Sequence, residues 1–150
     1  MDKAKWDVME ARDKDGLIAE RLFGFCWRVL DVAPFSSMKD DLGKRFLCQS
    51  YTASDYPEAK GSEEKSSEWD RFFSNYTTDR NACALVLDEI VQLDKGWTYL
   101  WHLMEILLNG EHGLDFEESG GLDALMAIHI VDPDMICYCA VEATEANGTT

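Results

Sequence analysis

The order of apolar and polar positions predicts the first secondary-structure elements of this chain. Residues 3–23 carry apolar side chains three or four positions apart among alanines and charged residues, which predicts helix. Gly16 is a weak point that could split this helix in two. Gly24 suits the position after a helix end, because glycine tolerates positive φ. Residues 25–30 are short, aromatic and β-branched, which is typical of a strand.

Two loops and a second strand follow. Residues 31–44 have the composition of a loop, and residues 46–52 read as a strand. Residues 53–68 are polar and offer almost nothing to bury, so we predict a mobile loop there. Residues 69–76 return to aromatic side chains, which should pack on the core.

The next helix is well marked. Residues 77–79 offer three N-cap choices, and an apolar stripe with helical spacing follows them. The stripe consists of Ala82, Leu85, Val86, Ile90 and Leu93. Residues 97–108 then carry large apolar side chains on both alternating sets, which predicts a strand covered on both faces. A buried helix is the rival interpretation, because periodicity alone does not decide between them.

The last third of the chain predicts a hairpin and a final helix. Residues 109–121 are rich in glycine and acids, as a hairpin loop is, and residues 122–130 alternate as a strand should. Asp132 and Pro133 form a strong helix start. The buried stripe of that helix is predicted to be Ile136, Cys139, Ala140 and Ala143. Residues 147–150 should fray.

Length and charge narrow the class of protein. With 150 residues and 17.1 kDa, the elements predict a single acidic α/β domain over 1–150, with a small, mainly antiparallel sheet and about three helices. Lys plus Arg number 14 and Asp plus Glu 29, for a formal net charge of −15, all of it in residues 51–150. This charge disfavours direct binding to nucleic acid or to an anionic membrane.

Neither end nor interior of the chain suggests export or a membrane anchor. The first 16 residues are charged throughout, and the longest apolar run is too short to span a bilayer. The five cysteines are odd in number and lie in apolar contexts, which favours buried reduced thiols in a cytoplasmic protein. Cys137 and Cys139 have poor spacing for a zinc site.

The sequence contains no recognisable catalytic motif, so we predict no catalytic residues, no metal site and no cofactor. His102 and His129 are interpreted as core or sheet-face side chains, and His112 lies in an acidic loop without calcium-loop spacing. The pair Ser36 and Ser37 has no histidine near it in sequence.

Three short blocks of the chain resemble one family. The first is IAERLFGF at residues 18–25, similar to I-A-x-x-V-M-G-W, and the second is YTTD at 76–79, similar to Y-S-T-D. The third is AIHIVDP at 127–133 leading into ICYCA at 136–140, similar to T-x-P-x-A-I-C-x-A-A. The family with these motifs is the phage ABA sandwich domain, a group of small bacteriophage proteins.

The resemblance has departures as well as implications. Phe25 stands where the family usually has Trp, and Asp132 stands near the third block in place of Thr or Ala. The resemblance implies a three-layer, sandwich-like α/β fold and a phage origin. It carries over no catalytic residues.

The surplus of acids supports a binding hypothesis. We expect a non-enzymatic, anti-CRISPR-like accessory protein in the cytoplasm of an infected bacterium, which docks as a DNA mimic on the basic nucleic-acid channel of a host protein or nucleoprotein complex. The sequence does not decide whether the chain forms a homodimer. The partner-binding residues are predicted to be Glu63, Glu64, Glu68, Asp70, Glu111, Asp115, Glu117 and Glu118.

Two alternatives from other classes remain. One is a sponge that sequesters a nucleotide signal, with Arg71 and Arg80 meeting phosphate and Trp69 stacking on the base. The other is a virion or assembly component.

Overall fold

The computed structural model carries side chains and describes most of the chain. The described residues are 1–33, 35–109 and 131–145. Most of the predicted acidic loop (109–121), the predicted strand 122–130 and the predicted frayed tail 147–150 lie outside them. The described elements, in chain order, are α1 (Lys3–Asp7), α2 (Ala11–Arg21), β1 (Cys26–Val29), a 3₁₀ helix (Ser36–Asp41), β2 (Arg45–Cys48), α3 (Ser50–Ala53), α4 (Arg80–Gln92), α5 (Gly96–Asn109) and α6 (Pro133–Glu145).

The expected α/β class with a small antiparallel sheet is confirmed, since one two-stranded antiparallel sheet is combined with helices. The described residues contain six α-helices, more than the three or so predicted. Residue contacts divide the chain into two units. We call Arg12–Ser74 the hairpin unit, and Met1–Ala11 with Asn75–Thr150 the helical unit. That residues 1–150 form one domain, and that this domain has three layers, stay predictions.

The sheet of the hairpin unit confirms the first predicted strand and shortens the second. β1 pairs with β2 so that Cys26 lies opposite Cys48 and Val29 opposite Arg45. The predicted strand 46–52 ends early because the chain turns into α3 after Cys48. The Thr52 hydroxyl donates to the Gln49 carbonyl oxygen at 2.9 Å and stabilises that turn.

Gly16 does not split the first helical segment, as the sequence suggested it could. The break between α1 and α2 falls at residues 8–10, and Gly16 lies inside α2, where it faces Trp69. Gly24 adopts φ +69° just after α2, so its predicted role at a helix end is confirmed.

The core of the hairpin unit lies between the sheet and its connections. Leu30, Met38, Phe46, Cys48 and Ala53 form one buried cluster. Met38 comes from the 3₁₀ helix inside the segment predicted as a loop, so that segment contributes to the core. The predicted burial of aromatic side chains from 69–76 is confirmed for Phe73 and Tyr76.

The polar segment 53–68 makes more contacts than its composition suggests. The backbone of Glu58 forms an isolated antiparallel β-bridge with that of Arg28, and the backbone of Lys65 forms a parallel one with that of Arg45. Ser66 is buried and donates its hydroxyl to the Asp41 carboxylate at 3.0 Å. Mobility of this segment stays a prediction.

Two helices of the helical unit begin at predicted capping residues. The Asp79 carboxylate accepts the N–H of Asn81 at 2.8 Å at the start of α4, and Asp132 accepts the N–H of Met135 at 2.8 Å at the start of α6. The predicted stripe of α4 is correct for Ala82, Val86 and Ile90 and wrong for two leucines. Leu85 and Leu93 are exposed, because the packed face of α4 turns toward Cys83 instead.

The strand predicted for residues 97–108 is wrong. These residues form α5, whose buried side chains are Tyr99, Leu103 and Leu107, four residues apart. A strand would place Trp97 and Trp101 on the same face as Tyr99 and Leu103, yet both tryptophans are exposed. The rival interpretation of a helix was right about the element, but one side of that helix is not buried.

Small side chains let α6 lie at the centre of the helical unit. It packs against α4 and α5 and buries Cys137, Cys139, Ala140 and Ala143. Ile136, the remaining predicted member of the stripe, is half-buried.

α1 is held against α6 by Trp6, and the N-terminal ammonium beside it pairs with Glu142 at 2.7 Å and with Glu145. Trp6 is fully buried, its indole N–H donates to Asp134 at 3.1 Å, and its ring lies 5.7 Å from that of Tyr138. A helix of five residues has little stability of its own, so this contact anchors the start of the chain.

Candidate partner-binding surface

The negative charge of the chain is concentrated in one of its two units. The hairpin unit has 12 Asp and Glu against 10 Lys and Arg, and is close to neutral. The helical unit has 17 Asp and Glu against 4 Lys and Arg, and carries almost the whole net charge. A surface that attracts positive charge therefore belongs to the helical unit.

The first two predicted partner-binding residues have different surroundings within the hairpin unit. The Glu63 carboxylate accepts the backbone N–H groups of Lys60 and Gly61, both at 3.0 Å. These hydrogen bonds, led by that from Lys60, lower the pKa of Glu63. Glu64 is exposed, and its carboxylate makes no hydrogen bond or ion pair with any residue that the structure describes.

The next two predicted residues are paired with cations of the same unit. Glu68 accepts a hydrogen bond from the Arg71 guanidinium at 2.8 Å, and Asp70 accepts one from Arg12 at 2.8 Å. Each ion pair offsets a negative charge locally. These carboxylates are therefore weaker attractors of a basic partner than the sequence suggests.

The other four predicted partner-binding residues lie outside the described residues. They are Glu111, Asp115, Glu117 and Glu118. By sequence they belong to the helical unit and add to its negative charge.

The helical unit presents an apolar stripe that the sequence did not reveal. Trp97 and Trp101 lie one turn apart on α5 and are 86 % and 70 % exposed. Leu100 and Met104 complete the stripe at helical spacing and are also exposed. α5 is thus apolar on two sides, with one side packed and the other open. The alternating apolar sets of residues 97–108 were the available signal.

Acidic and apolar groups are mixed around this stripe. Glu105 follows Trp101 by one turn and is exposed. Leu87 of α4 and Leu100 of α5 line one cavity of about 380 Å³ together with Tyr99 and Leu103 from the packed side of α5. Asp88 and Val91 are exposed on α4. We call Trp97, Leu100, Trp101 and Met104 the α5 stripe.

The side chains that could support catalysis belong to different units or already have hydrogen-bond partners. Ser37 donates to Glu68 at 3.2 Å and accepts from Arg71 at 3.3 Å, in the hairpin unit. His102 is half-buried on α5 in the helical unit, whereas His112 and His129 lie outside the described residues. Within residues 1–33, 35–109 and 131–145, no three His, Cys, Asp or Glu side chains converge as metal ligands would.

The five cysteines have different surroundings. Cys48, Cys83, Cys137 and Cys139 are buried, so the predicted burial is confirmed for these four, whereas Cys26 is only half-buried. Their reduced state stays a prediction. Burial raises the pKa of Cys139 to about 12.

The residues proposed for a nucleotide site already contact other residues of the chain. Trp69 stacks on Trp27 with ring centroids 5.5 Å apart, and Lys65 lies 4.1 Å from the Trp69 ring. Arg71 is paired with Glu68, while Arg80 belongs to the other unit and donates to the Val131 carbonyl oxygen at 3.3 Å. None of these contacts favours the sponge hypothesis.

Comparison with protein-family models, with curated proteins and with solved structures finds no match to this chain. The class of protein thus rests on its own fold and surface: a small α/β protein with a strongly acidic helical unit. The described helices are all too short, or too polar, to cross a lipid bilayer.

Proposed function

We propose that this chain is a non-enzymatic binding protein whose helical unit docks on a basic surface of a partner protein. The observation that carries the proposal is the α5 stripe, in which two tryptophans one turn apart are largely exposed within the acidic unit. Large apolar side chains in that position bury substantial area once a partner covers them.

Affinity and speed of binding would come from different groups. Tryptophan is enriched among the few interface residues that dominate binding energy, so Trp97 and Trp101 are the expected anchors. The surrounding carboxylates, such as Glu105 and Asp88, would steer a basic partner toward the stripe and set its orientation. Such a protein acts by stoichiometric binding and needs no active site.

For the partner, we propose a host complex that handles nucleic acid, such as a CRISPR effector in an infected bacterial cytoplasm. A duplex presents one negative charge per ~1.7 Å of axis, so a channel built for it is strongly basic. The helical unit has 17 acidic and 4 basic residues, and this net negative charge is complementary to such a channel. The resemblance to the phage ABA sandwich domain supports a phage origin and remains part of this proposal.

The predicted acidic loop residues contribute unequally in this proposal. Glu68 and Asp70 are paired with Arg71 and Arg12, so they contribute little attraction. Glu63 accepts only backbone N–H groups and keeps its negative charge. Glu64 is exposed and remains a candidate contact. The charges of the helical unit, including those of residues 111–118, contribute most.

Affinity purification of the tagged chain from a host lysate, at low and at high salt, tests the proposal. At low salt the wild-type chain should retain a basic nucleic-acid-binding complex and block its binding to DNA in stoichiometric amounts. High salt should release that complex, because screening weakens attraction between exposed charges. Retention of only neutral or acidic proteins, unaffected by salt, would contradict the proposal.

Matched variants separate the anchors from the charges. Trp97→Ser with Trp101→Ser should weaken binding by roughly tenfold or more without changing its salt dependence. Asp88→Lys with Glu105→Lys should slow association and reduce the salt dependence. Asp40→Lys, which makes a single such change at an exposed position of the hairpin unit, is the control and should have little effect. Equal weakening by the control would place the contact in the hairpin unit.

A further inference from the structure

Four aromatic side chains of the hairpin unit line one open cavity of about 370 Å³. The rings of Phe35 and Phe72 lie 6.3 Å apart, those of Phe72 and Phe46 5.9 Å, and those of Phe46 and Tyr56 5.1 Å. Phe46 and Tyr56 meet edge to face, at 86°, so the walls of the cavity differ in orientation. The volume falls in the range of small-molecule sites, roughly 300–1,000 Å³.

The cavity has a closed base and an accessible mouth. Phe46 and Cys48 are buried members of the hairpin core and form the base. Phe35 and Phe72 are 41 % and 36 % exposed and form the mouth. A ligand can therefore reach the aromatic walls without disturbing the core.

The polar lining of the cavity is negative. Asp55 lines it, is exposed, and makes no side-chain hydrogen bond or ion pair with the described part of the chain. Burial and then the carboxylates of Asp31 and Asp55 raise the pKa of Tyr56, so negative charge reaches the aromatic wall. The described lining includes no Lys or Arg. Arg28 contacts the backbone carbonyl oxygen of Tyr56, at 3.5 Å.

We propose that this cavity binds a methylated ammonium group. Aromatic faces attract a cation through their quadrupole, and several rings around one site are the usual recognition device for quaternary ammonium groups. Phe35 already stacks with a cation of the chain, since the Arg71 guanidinium lies 4.0 Å from its ring. Asp55 supplies the opposite charge at the mouth.

The lining also discriminates against other ligand classes. An unmethylated ammonium is strongly hydrated and needs several acceptors, whereas the cavity presents mainly aromatic surface. A nucleotide could stack its base on the rings, but its phosphate would meet Asp55, and Arg71 beside Phe35 is already paired with Glu68. A neutral apolar ligand would gain nothing from Asp55.

Titration of the full chain with tetramethylammonium, choline and the neutral isostere of choline, 3,3-dimethyl-1-butanol, tests the charge requirement. Both cations should shift the NMR signals of the residues around the cavity saturably, and the isostere should bind roughly tenfold more weakly. Equal affinity of choline and its isostere would overturn the proposal in favour of a purely apolar cavity. Tighter binding of adenosine monophosphate than of either cation would overturn it in favour of a nucleotide site.

Variants at the mouth locate the site. Phe72→Leu and Asp55→Asn should each weaken choline binding about five- to tenfold, and both side chains are exposed enough for the fold to persist. Trp97→Leu and Asp40→Asn remove an exposed ring and an exposed carboxylate elsewhere and should leave choline binding unchanged. Phe35→Leu replaces Phe72→Leu if thermal unfolding shows that the latter is destabilised. Unchanged affinity in every mouth variant would overturn the assignment.

The same group could come from a free metabolite or from a protein side chain, and a peptide distinguishes them. A peptide with trimethyl-lysine that binds more tightly than choline, while its unmodified form does not bind, identifies a protein source. If choline binds as tightly as the trimethyl-lysine peptide, the natural ligand is a small molecule. If tetramethylammonium, choline and the trimethyl-lysine peptide all fail to bind saturably, the proposal is overturned. This site is independent of the α5 stripe, so Asp88→Lys with Glu105→Lys should not affect it.

Discussion

The indole of Trp69 lies directly against the backbone of Gly16. A Cβ atom added to Gly16 would lie 2.9 Å from the ring carbon Cζ3 of Trp69, closer than two carbon atoms approach without a shift. Trp69 is itself enclosed by Trp27 and Phe73, whose ring centroids are each 5.5 Å from its own. Glycine is therefore required inside α2 although it is a poor helix former.

Gly16→Ala should destabilise the protein by up to about 2 kcal/mol. The clash with Trp69 costs about 1–3 kcal/mol, and the better helix propensity of alanine offsets about 1 kcal/mol of it. Gly96→Ala is the matched control, because nothing lies within 4 Å of a Cβ there. Urea unfolding of both variants checks the difference, and an equal or greater stability of Gly16→Ala would show that the Trp69 contact is relaxed.

Asp41→Asn should lower stability at neutral pH and lose its effect in acid. Hydrogen bonds from Ser67 and Ser66 and the contact with Lys44 lower the pKa of buried Asp41 to about 2, against an ordinary value of 3.8. Because the folded pKa is the lower one, the stabilisation is present above about pH 4 and is lost as the pH falls toward 2.

Thermal unfolding between pH 2 and pH 7 measures this effect of Asp41. The melting temperatures of wild type and Asp41→Asn should converge as the pH falls through about 4 to 2. Asp40→Asn removes the same charge from the exposed neighbouring position and should change little. A gap between Asp41→Asn and wild type that is the same at every pH would contradict a charge-dependent role.

Trp6→Ala should destabilise the protein by about 3–5 kcal/mol, since it removes a fully buried ring and the hydrogen bond to Asp134. Trp97→Ala removes the same side chain from an 86 % exposed position and should stay within about 0.5 kcal/mol of wild type. Chemical denaturation compares the two. A large loss from Trp97→Ala would mean that Trp97 is a structural side chain, not a binding anchor.

Cys26 should react with iodoacetamide before the other thiols, and Cys139 should react only after unfolding. Cys26 is half-buried, whereas Cys139 is fully buried and its pKa is raised to about 12, so almost no reactive thiolate is present at neutral pH. Mass spectrometry of the labelled peptides over time gives the order. Equal rates at the two positions in the native protein would contradict it.

Features that depend on neighbours in the chain could be read from the sequence. Asp79 and Asp132 act as N-caps because the donors that they satisfy lie two or three residues away. Gly24 follows α2 with positive φ for an equally local reason. The strand at 25–30 was also local enough to predict, from its β-branched and aromatic composition.

Features that depend on distant partners could not be read in the same way. Residues 97–108 have an apolar pattern that fits a strand covered on both faces, and only the packing of α5 on α6 selects the helix and leaves Trp97 and Trp101 open. Asp70 pairs with Arg12, 58 positions away in the chain, so the charge of this predicted partner-binding residue is offset within the fold. The aromatic cavity likewise joins Phe35 and Phe72 from separate segments.

The amino-acid sequence by itself determined the α/β class, the helix starts at Asp79 and Asp132 and the net charge of −15, because these follow from composition or from contacts within a few residues. The tertiary structure alone decided that Asp70 pairs with Arg12, that Gly16 receives Trp69, and that one side of α5 stays open. The reason is physical: burial and ion pairing are interactions between segments far apart in the chain, and no local pattern encodes which segments meet.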